Sequence, residues 1–165
     1  MSNQSIEETD INEGLRAKGF FRLNIVDADG SVAGDSGWVR NAIQDSAYTN
    51  FLIKCVYSTA STGVTHIALG TSTQTQAATA QTLGGEVMSS TQRTTYSYAT
   101  SSNSRSIALT ATFASGFVSG AGSTLANIGL FNSSSGGTMF AHNTYTGSAC
   151  ASNQAVNVTY TISFT

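Results

Sequence analysis

Val156, Val158, Tyr160, Ile162 and Phe164 alternate without a break with Asn157, Thr159, Thr161 and Ser163. Successive side chains of an extended chain point to opposite faces, so this row can be buried together only in a β-strand with one face on a core. A helix would scatter the same residues around its circumference. The pattern recurs in Phe21, Leu23 and Ile25, which alternate with Arg22 and Asn24, and in Ile107, Leu109, Ala111 and Phe113, which alternate with Ala108, Thr110 and Thr112. Three one-sided strands spread over the chain commit it to a mainly β architecture.

The remaining segments fill in that architecture. Leu125–Phe131, with Ile128 and Leu130, reads as a mostly buried strand, and Gly136-Gly137 joins it in a hairpin to Thr138–His142, which carries Phe140. Glu86–Tyr98 is a strand candidate, with Val87, Thr91, Arg93, Thr95 and Ser97 on one side and Met88, Thr94, Tyr96 and Tyr98 on the other. Val64–Gly70 alternates imperfectly, and a polar Thr, Gln and Ala loop follows it to Leu83-Gly84-Gly85. Between about 38 and 57 the period changes. Ala47, Tyr48, Phe51, Leu52, Cys55 and Val56 lay one apolar stripe along a helix, and Val39 and Ile43 extend it backwards. The expected fold is an antiparallel β-sandwich, jelly-roll-like, spanning 19–165, with this helix near 38–57 and an extended arm over 1–18. Its core is expected to hold Phe21, Leu23, Ile25, Leu109, Phe113, Ile128, Leu130, Phe140, Val158, Ile162 and Phe164. Phe51, Leu52 and Cys55 are expected to cover that core from the helix.

Charge is confined to one end. Residues 1–58 hold eight acids and five bases, whereas residues 59–165 hold only Glu86, Arg93 and Arg105. Ser and Thr together supply 47 of the 165 residues, so the outer strand faces must be built largely from small hydroxyls. An ordinary solvated surface is about 25–35% charged. Faces this poor in charge suit contact with neighbouring subunits, where buried unpaired charge is costly and short side chains lose little entropy. Seven Lys and Arg without a cluster give no counterion-release drive, which argues against nucleic acid as a partner. No apolar run reaches the roughly 18 residues of a membrane span, and Met1–Ser5 lacks a signal-peptide pattern. The chain is therefore expected to be made in the cytoplasm and to stay out of the membrane.

Motifs that could carry chemistry are few. Gly34-Asp35-Ser36-Gly37 matches the surroundings of a serine-protease nucleophile, but no His precedes it to act as base. It is expected to be a turn, with Ser36 as the N-cap of the helix. Asp27-Ala28-Asp29-Gly30 resembles the start of a calcium loop, yet the sixth and twelfth places hold Val32 and Trp38 instead of Gly and Glu. His66 and His142 fall on separate strand candidates without ligand spacing, and Cys55 and Cys150 form no paired motif, so no metal or other cofactor is expected. Glu86 is the single acid after residue 58, which leaves a two-carboxylate site unsupported. The expectation is a protein that is not an enzyme. The sequons at Asn132 and Asn157 lack a secretory route, and Glu7, Glu8, Asp10 and Glu13 form an acidic run that suits an arm reaching a neighbour.

Five phrases occur in order: Gly37-Trp38-Val39-Arg40-Asn41-Ala42-Ile43, His66-Ile67-Ala68-Leu69-Gly70-Thr71, Leu83-Gly84-Gly85-Glu86-Val87, Asn127-Ile128-Gly129-Leu130-Phe131 and Gly137-Thr138-Met139-Phe140-Ala141. With the terminal strand they resemble virion structural proteins of tailed bacteriophages over about residues 19–165. The resemblance implies a β-sandwich particle component and supplies no catalytic residue. A capsid decoration (cement) protein is the preferred expectation, bound to the major capsid protein and to copies of itself as a homo-oligomer, with a trimer as the guess. A tail or fibre-base subunit is the alternative. A carbohydrate-binding sandwich is the third, and its aromatic candidates are Trp38, Tyr48, Tyr57, Tyr96, Tyr98, Tyr145 and Tyr160.

Overall fold

The computed structural model describes residues 17–47, 63–73, 79–87, 93–99, 105–118 and 122–164. In chain order the strands are β1 (Ala17–Val26), β2 (Val32–Asp35), β3 (Val39–Ile43), β4 (His66–Gly70), β5 (Glu86–Val87), β6 (Thr94–Thr95), β7 (Ser97–Ala99), β8 (Ser106–Phe113), β9 (Ser123–Phe131), β10 (Met139–Cys150) and β11 (Ala155–Phe164). All pair antiparallel within one continuous sheet, in the order β5-β4-β9-β10-β3-β1-β11-β8-β7.

Two short stretches curl this sheet. β3 gives its first half to β1, with Val39–Asn41 opposite Phe21–Gly19, and its second half to β10, with Ala42 and Ile43 opposite His142 and Ala141. The stretch 94–99 behaves the same way on the other side. Thr94 and Thr95 pair with Ile67 and His66 of β4, and Ser97–Ala99 pair with Thr110–Ala108 of β8. A strand that changes partner midway turns a corner, so both flanks of the sheet bend towards each other around one core.

The core follows the sequence alternation. Phe21, Leu23 and Ile25 lie opposite Tyr160, Val158 and Val156, which in turn lie opposite Leu109, Ala111 and Phe113. All nine are buried in one cluster with Ile128, Leu130, Phe140 and Ile162, while Phe164 is half-buried at its margin. β9 and β10 are buried on both faces over much of their length, because Ala68, Leu83, Phe131 and Met139 form a second, smaller cluster behind them. The hairpin between β9 and β10 turns at Gly136 and Gly137, whose φ values of 58° and 72° are the left-handed conformation that glycine adopts without a Cβ clash.

Val39–Ile43, the start of the expected helix near 38–57, is strand instead. Among the described residues of that stretch, Asp45–Ala47 is one helical turn; positions 48–62, including Tyr48, Phe51, Leu52, Cys55 and Tyr57, lie outside the described residues. Val39 and Ile43 satisfy both periods, and polar Asn41 between them disguised the period-two row. Asn41 is in fact buried, its Nδ2 donating to the Tyr160 hydroxyl across the core. Its carboxamide occupies the place a Cβ on Gly19 would take, which is why β1 carries glycine there. Ser36 caps no helix: its Oγ accepts from the Leu23 amide at 3.0 Å and donates to the Gly37 carbonyl at 2.9 Å. β1 also starts two residues before the expected boundary, with Ala17 and Lys18 already opposite Phe164 and Ser163.

Candidate interaction surface

Residues that alternate with the core row build the outward face of β1, β11, β8 and β7. Lys18, Phe20, Arg22, Asn24 and Val26 of β1 lie opposite Ser163, Thr161, Thr159, Asn157 and Ala155 of β11. The rows continue through Ser106, Ala108, Thr110 and Thr112 of β8 to Ser97 and Ala99 of β7. From β11 outward the face is entirely uncharged. Thr112 Oγ1 donates to Asn157 Oδ1 at 2.8 Å, which ties two of its neighbours together and leaves the rest of the face to exposed or half-buried hydroxyls.

The β1 flank is different. Arg40 of β3 lies opposite Phe20, and Lys18 and Arg22 are its diagonal neighbours, at a spacing of about 7–8 Å. Three cations therefore surround one half-buried aromatic ring, next to Trp38, which is 56% exposed. Asp35 at the end of β2 pairs with Arg22, with its Oδ1 3.0 Å from Nε. The Arg22 hydrogen bond, joined by the Gly37 amide, holds the Asp35 carboxyl down at about 2. Because its folded pKa is depressed, the pair contributes stability above the ordinary carboxylate range and loses it as pH falls towards 2. Melting temperatures of the wild type and Asp35→Asn should thus converge between about pH 4 and pH 2. A constant difference between the two over that range would refute the pairing.

The other sequence motifs are absorbed by the fold. Asp29 Oδ1 accepts from the Ser31 amide at 2.9 Å and from its hydroxyl at 2.7 Å, and these bonds lower its pKa. Asp27 Oδ1 accepts from Gln154 Nε2 at 2.6 Å, so both acids of the calcium-like run serve the turns at the ends of β1 and β11. Asn132 Oδ1 accepts from the Thr138 amide at 2.8 Å in the β9–β10 hairpin. His142 is buried on β10; His66, on β4, contacts Thr65 Oγ1 through Nδ1 at 2.7 Å, and partial burial and Arg93 lower its pKa. Among the described residues, no group of three or more His, Cys, Asp or Glu lies close enough to hold a metal ion. Cys150 is buried, outside any disulfide, with its thiol pKa raised by burial. It lines an open cleft of about 450 Å³ with Gly122–Thr124, Ala149, Ala151 and Gln154. No helix among the described residues is long and apolar enough to cross a membrane. The arm residues Glu7, Glu8, Asp10 and Glu13 lie outside the described residues.

Two polar residues that sequence reading passed over organise the far flank. Arg93, a strand-face residue by alternation, is 8% exposed and grips Glu86, with Nε 2.6 Å from Oε1 and Nη2 3.1 Å from Oε2. Its Nη1 donates to the carbonyls of Ser133 and Gly136 at 3.1 and 2.6 Å, and its guanidinium carbon lies 3.3 Å from the centre of the Phe131 ring. Asn127, fully buried inside β9, donates from Nδ2 to the carbonyls of Ser72 and Gly84 at 2.7 and 2.9 Å, which pins the loop before β5. The available signal was their isolation: one of two bases after residue 58, and an amide within an apolar run.

No protein-family model, curated protein or solved structure matches the chain. Among the described residues the candidate aromatics do not gather into one groove. Trp38 and Tyr98 are both exposed but stand at opposite ends of the run β3-β1-β11-β8-β7, four strand spacings or about 19 Å along the sheet. Tyr145 and Tyr160 are buried, with pKa values raised by burial, and the hydroxyl of half-buried Tyr96 donates to the Val64 carbonyl.

Proposed function

We propose that this chain is a non-enzymatic structural subunit of a virus particle, seated on the outer capsid shell as a decoration protein. The observation that carries the reading is the outward face of β11, β8 and β7, where cross-strand rows of two or three Thr, Ser, Ala and Asn run without a single charge. Solubility of a free monomer favours charge on such a face, whereas a packed interface favours small side chains that hydrogen-bond at little entropic cost. The phage-like order of phrases supplies the class of particle. In this reading the curled sheet is a flattened, jelly-roll-like sandwich whose corners are β3 and the 94–99 stretch. Its partners are the major capsid protein and further copies of itself, arranged as a trimer. The virion is then its location, reached after synthesis in the host cytoplasm.

Electron microscopy of particles carrying the labelled protein tests this. Label at fixed stoichiometry over the whole shell, with particles that withstand more heat than those lacking the protein, is the expected result. Label confined to one vertex would replace it with the tail or fibre-base reading, and failure to bind particles would overturn both. The carbohydrate-binding reading is disfavoured by the dispersal of Trp38 and Tyr98, and specific binding on a glycan array would revive it.

A further inference from the structure

We infer that the basic, aromatic flank formed by Lys18, Phe20, Arg40 and Trp38 is the receptor for the acidic segment 7–13 of a second copy of this chain. The inference rests on the assembly reading above and names the contact through which copies meet. Charge accounting motivates it. The described residues hold five bases, Lys18, Arg22, Arg40, Arg93 and Arg105, and five acids, Asp27, Asp29, Asp35, Asp45 and Glu86, so they sum to zero. Residues 1–16 hold four acids and Arg16, a net charge of −3.

Within the balanced domain, charge is not evenly placed. Lys18, Arg22 and Arg40 lie within one diagonal spacing around Phe20, and of the three only Arg22 has an acidic partner among the described residues. Like charges so close repel, and an anionic partner removes that penalty. Phe20, between the cations in register, and exposed Trp38, two residues before Arg40, add apolar surface to the flank. Glu7, Glu8, Asp10 and Glu13 spread four carboxylates over seven residues, about 20–23 Å when extended, which matches a path across a few strands. Glu7 lies ten residues before Ala17 and Glu13 four, about 33–36 and 13–14 Å when extended, so the outer part of the segment can pass the edge of its own β1 to a neighbour packed against it. Closed rings of such exchanged arms are a common outcome of head-to-tail contacts.

The test uses the full chain without particles, so its failure is separable from failure of capsid binding. Unlabelled and nitrogen-15 copies are mixed, and carboxylates are coupled directly to amines with a carbodiimide. The chain has two lysines, Lys18 and Lys54, which keeps the products readable. Mixed-isotope peptides joining Lys18 to residues 7–13 are expected. Self-association measured by sedimentation should weaken about tenfold in K18E/R40E, and by a similar factor on raising salt from about 50 to 500 mM. Neutralising the arm with E7Q/E8Q/D10N/E13Q, which leaves the described domain unaltered, should weaken it equally. A copy with a reversed arm, E7K/E8K/D10K/E13K, should associate with K18E/R40E better than either associates with itself. Crosslinks found only within single copies, or a chain that stays monomeric at every concentration, would overturn the inference.

Discussion

Replacing Arg93 by Met is expected to destabilise the fold by about 3–5 kcal/mol. The Glu86 and Arg93 side chains are 14% and 5% exposed, so neither charge is adequately solvated by water. Removing the guanidinium strands the Glu86 carboxylate and deprives the Ser133 and Gly136 carbonyls of their shared donor. It also strips the cation from the face of Phe131, a contact worth about 1–2 kcal/mol when desolvated. Lys would not substitute, because one ammonium cannot bind both carboxylate oxygens and two carbonyls in the planar geometry used here. The double variant Arg93→Met/Glu86→Gln should recover much of the loss, since a buried pair can often be replaced as a unit at small cost. Urea denaturation midpoints at constant slope measure both. A loss below about 1 kcal/mol for Arg93→Met would show that water, not Arg93, satisfies Glu86.

That pair also shows where sequence reading stops. Residues 59–165 contain three charged side chains, and two of them find each other through β5, the start of β6 and the β9–β10 hairpin. Alternation within a strand reports which way a side chain points, but no local pattern reports that residues 86, 93 and 133–136 converge. The strands themselves were legible because their burial is one-sided: Phe21 to Ile25, Leu109 to Phe113 and Val156 to Ile162 fall on the core face that the alternation assigns. Val39–Ile43 was not legible as strand, because its central inward residue is polar. Asn41 is accommodated there by donating from Nδ2 to Tyr160 on β11, 119 residues away, and to the Ala42 carbonyl.

The candidate surface was half legible for the same reason. Thr110, Thr112, Thr159 and Thr161 alternate with core residues, so a hydroxyl face followed directly from the sequence. The basic flank did not. Lys18, Arg22 and Arg40 are separated by up to 22 positions, and only the pairing of β1 with β3 gathers them around Phe20. Had residues 38–43 been helical, as their spacing suggested, Arg40 would have had no fixed place beside Lys18.

Adjacent phenylalanines on β1 offer the sharpest check on that assignment of faces. Phe21→Ala is expected to cost about 3–5 kcal/mol, the range for a fully buried phenylalanine truncated in a packed core. Phe21 is fully buried, meets Tyr145 edge-on with ring centres 5.5 Å apart and stacks on Tyr160 at 6.1 Å, and each aromatic pair adds about 0.5–1.5 kcal/mol beyond area burial. The cavity would also loosen Tyr160, whose hydroxyl accepts from Asn41, so the corner at β3 should weaken with it. Phe20, the preceding residue, points outward between Thr161 and Arg40, and Phe20→Ala should cost less than about 1 kcal/mol in dilute solution. On the proposed arm contact, the same two variants should rank in reverse for assembly: Phe20→Ala should lower self-association while the fold survives, and folded Phe21→Ala should associate as the wild type does. Equal stability losses at both positions would mean that β1 is covered on both faces, and the flank assigned to the neighbouring arm would no longer be free to receive it.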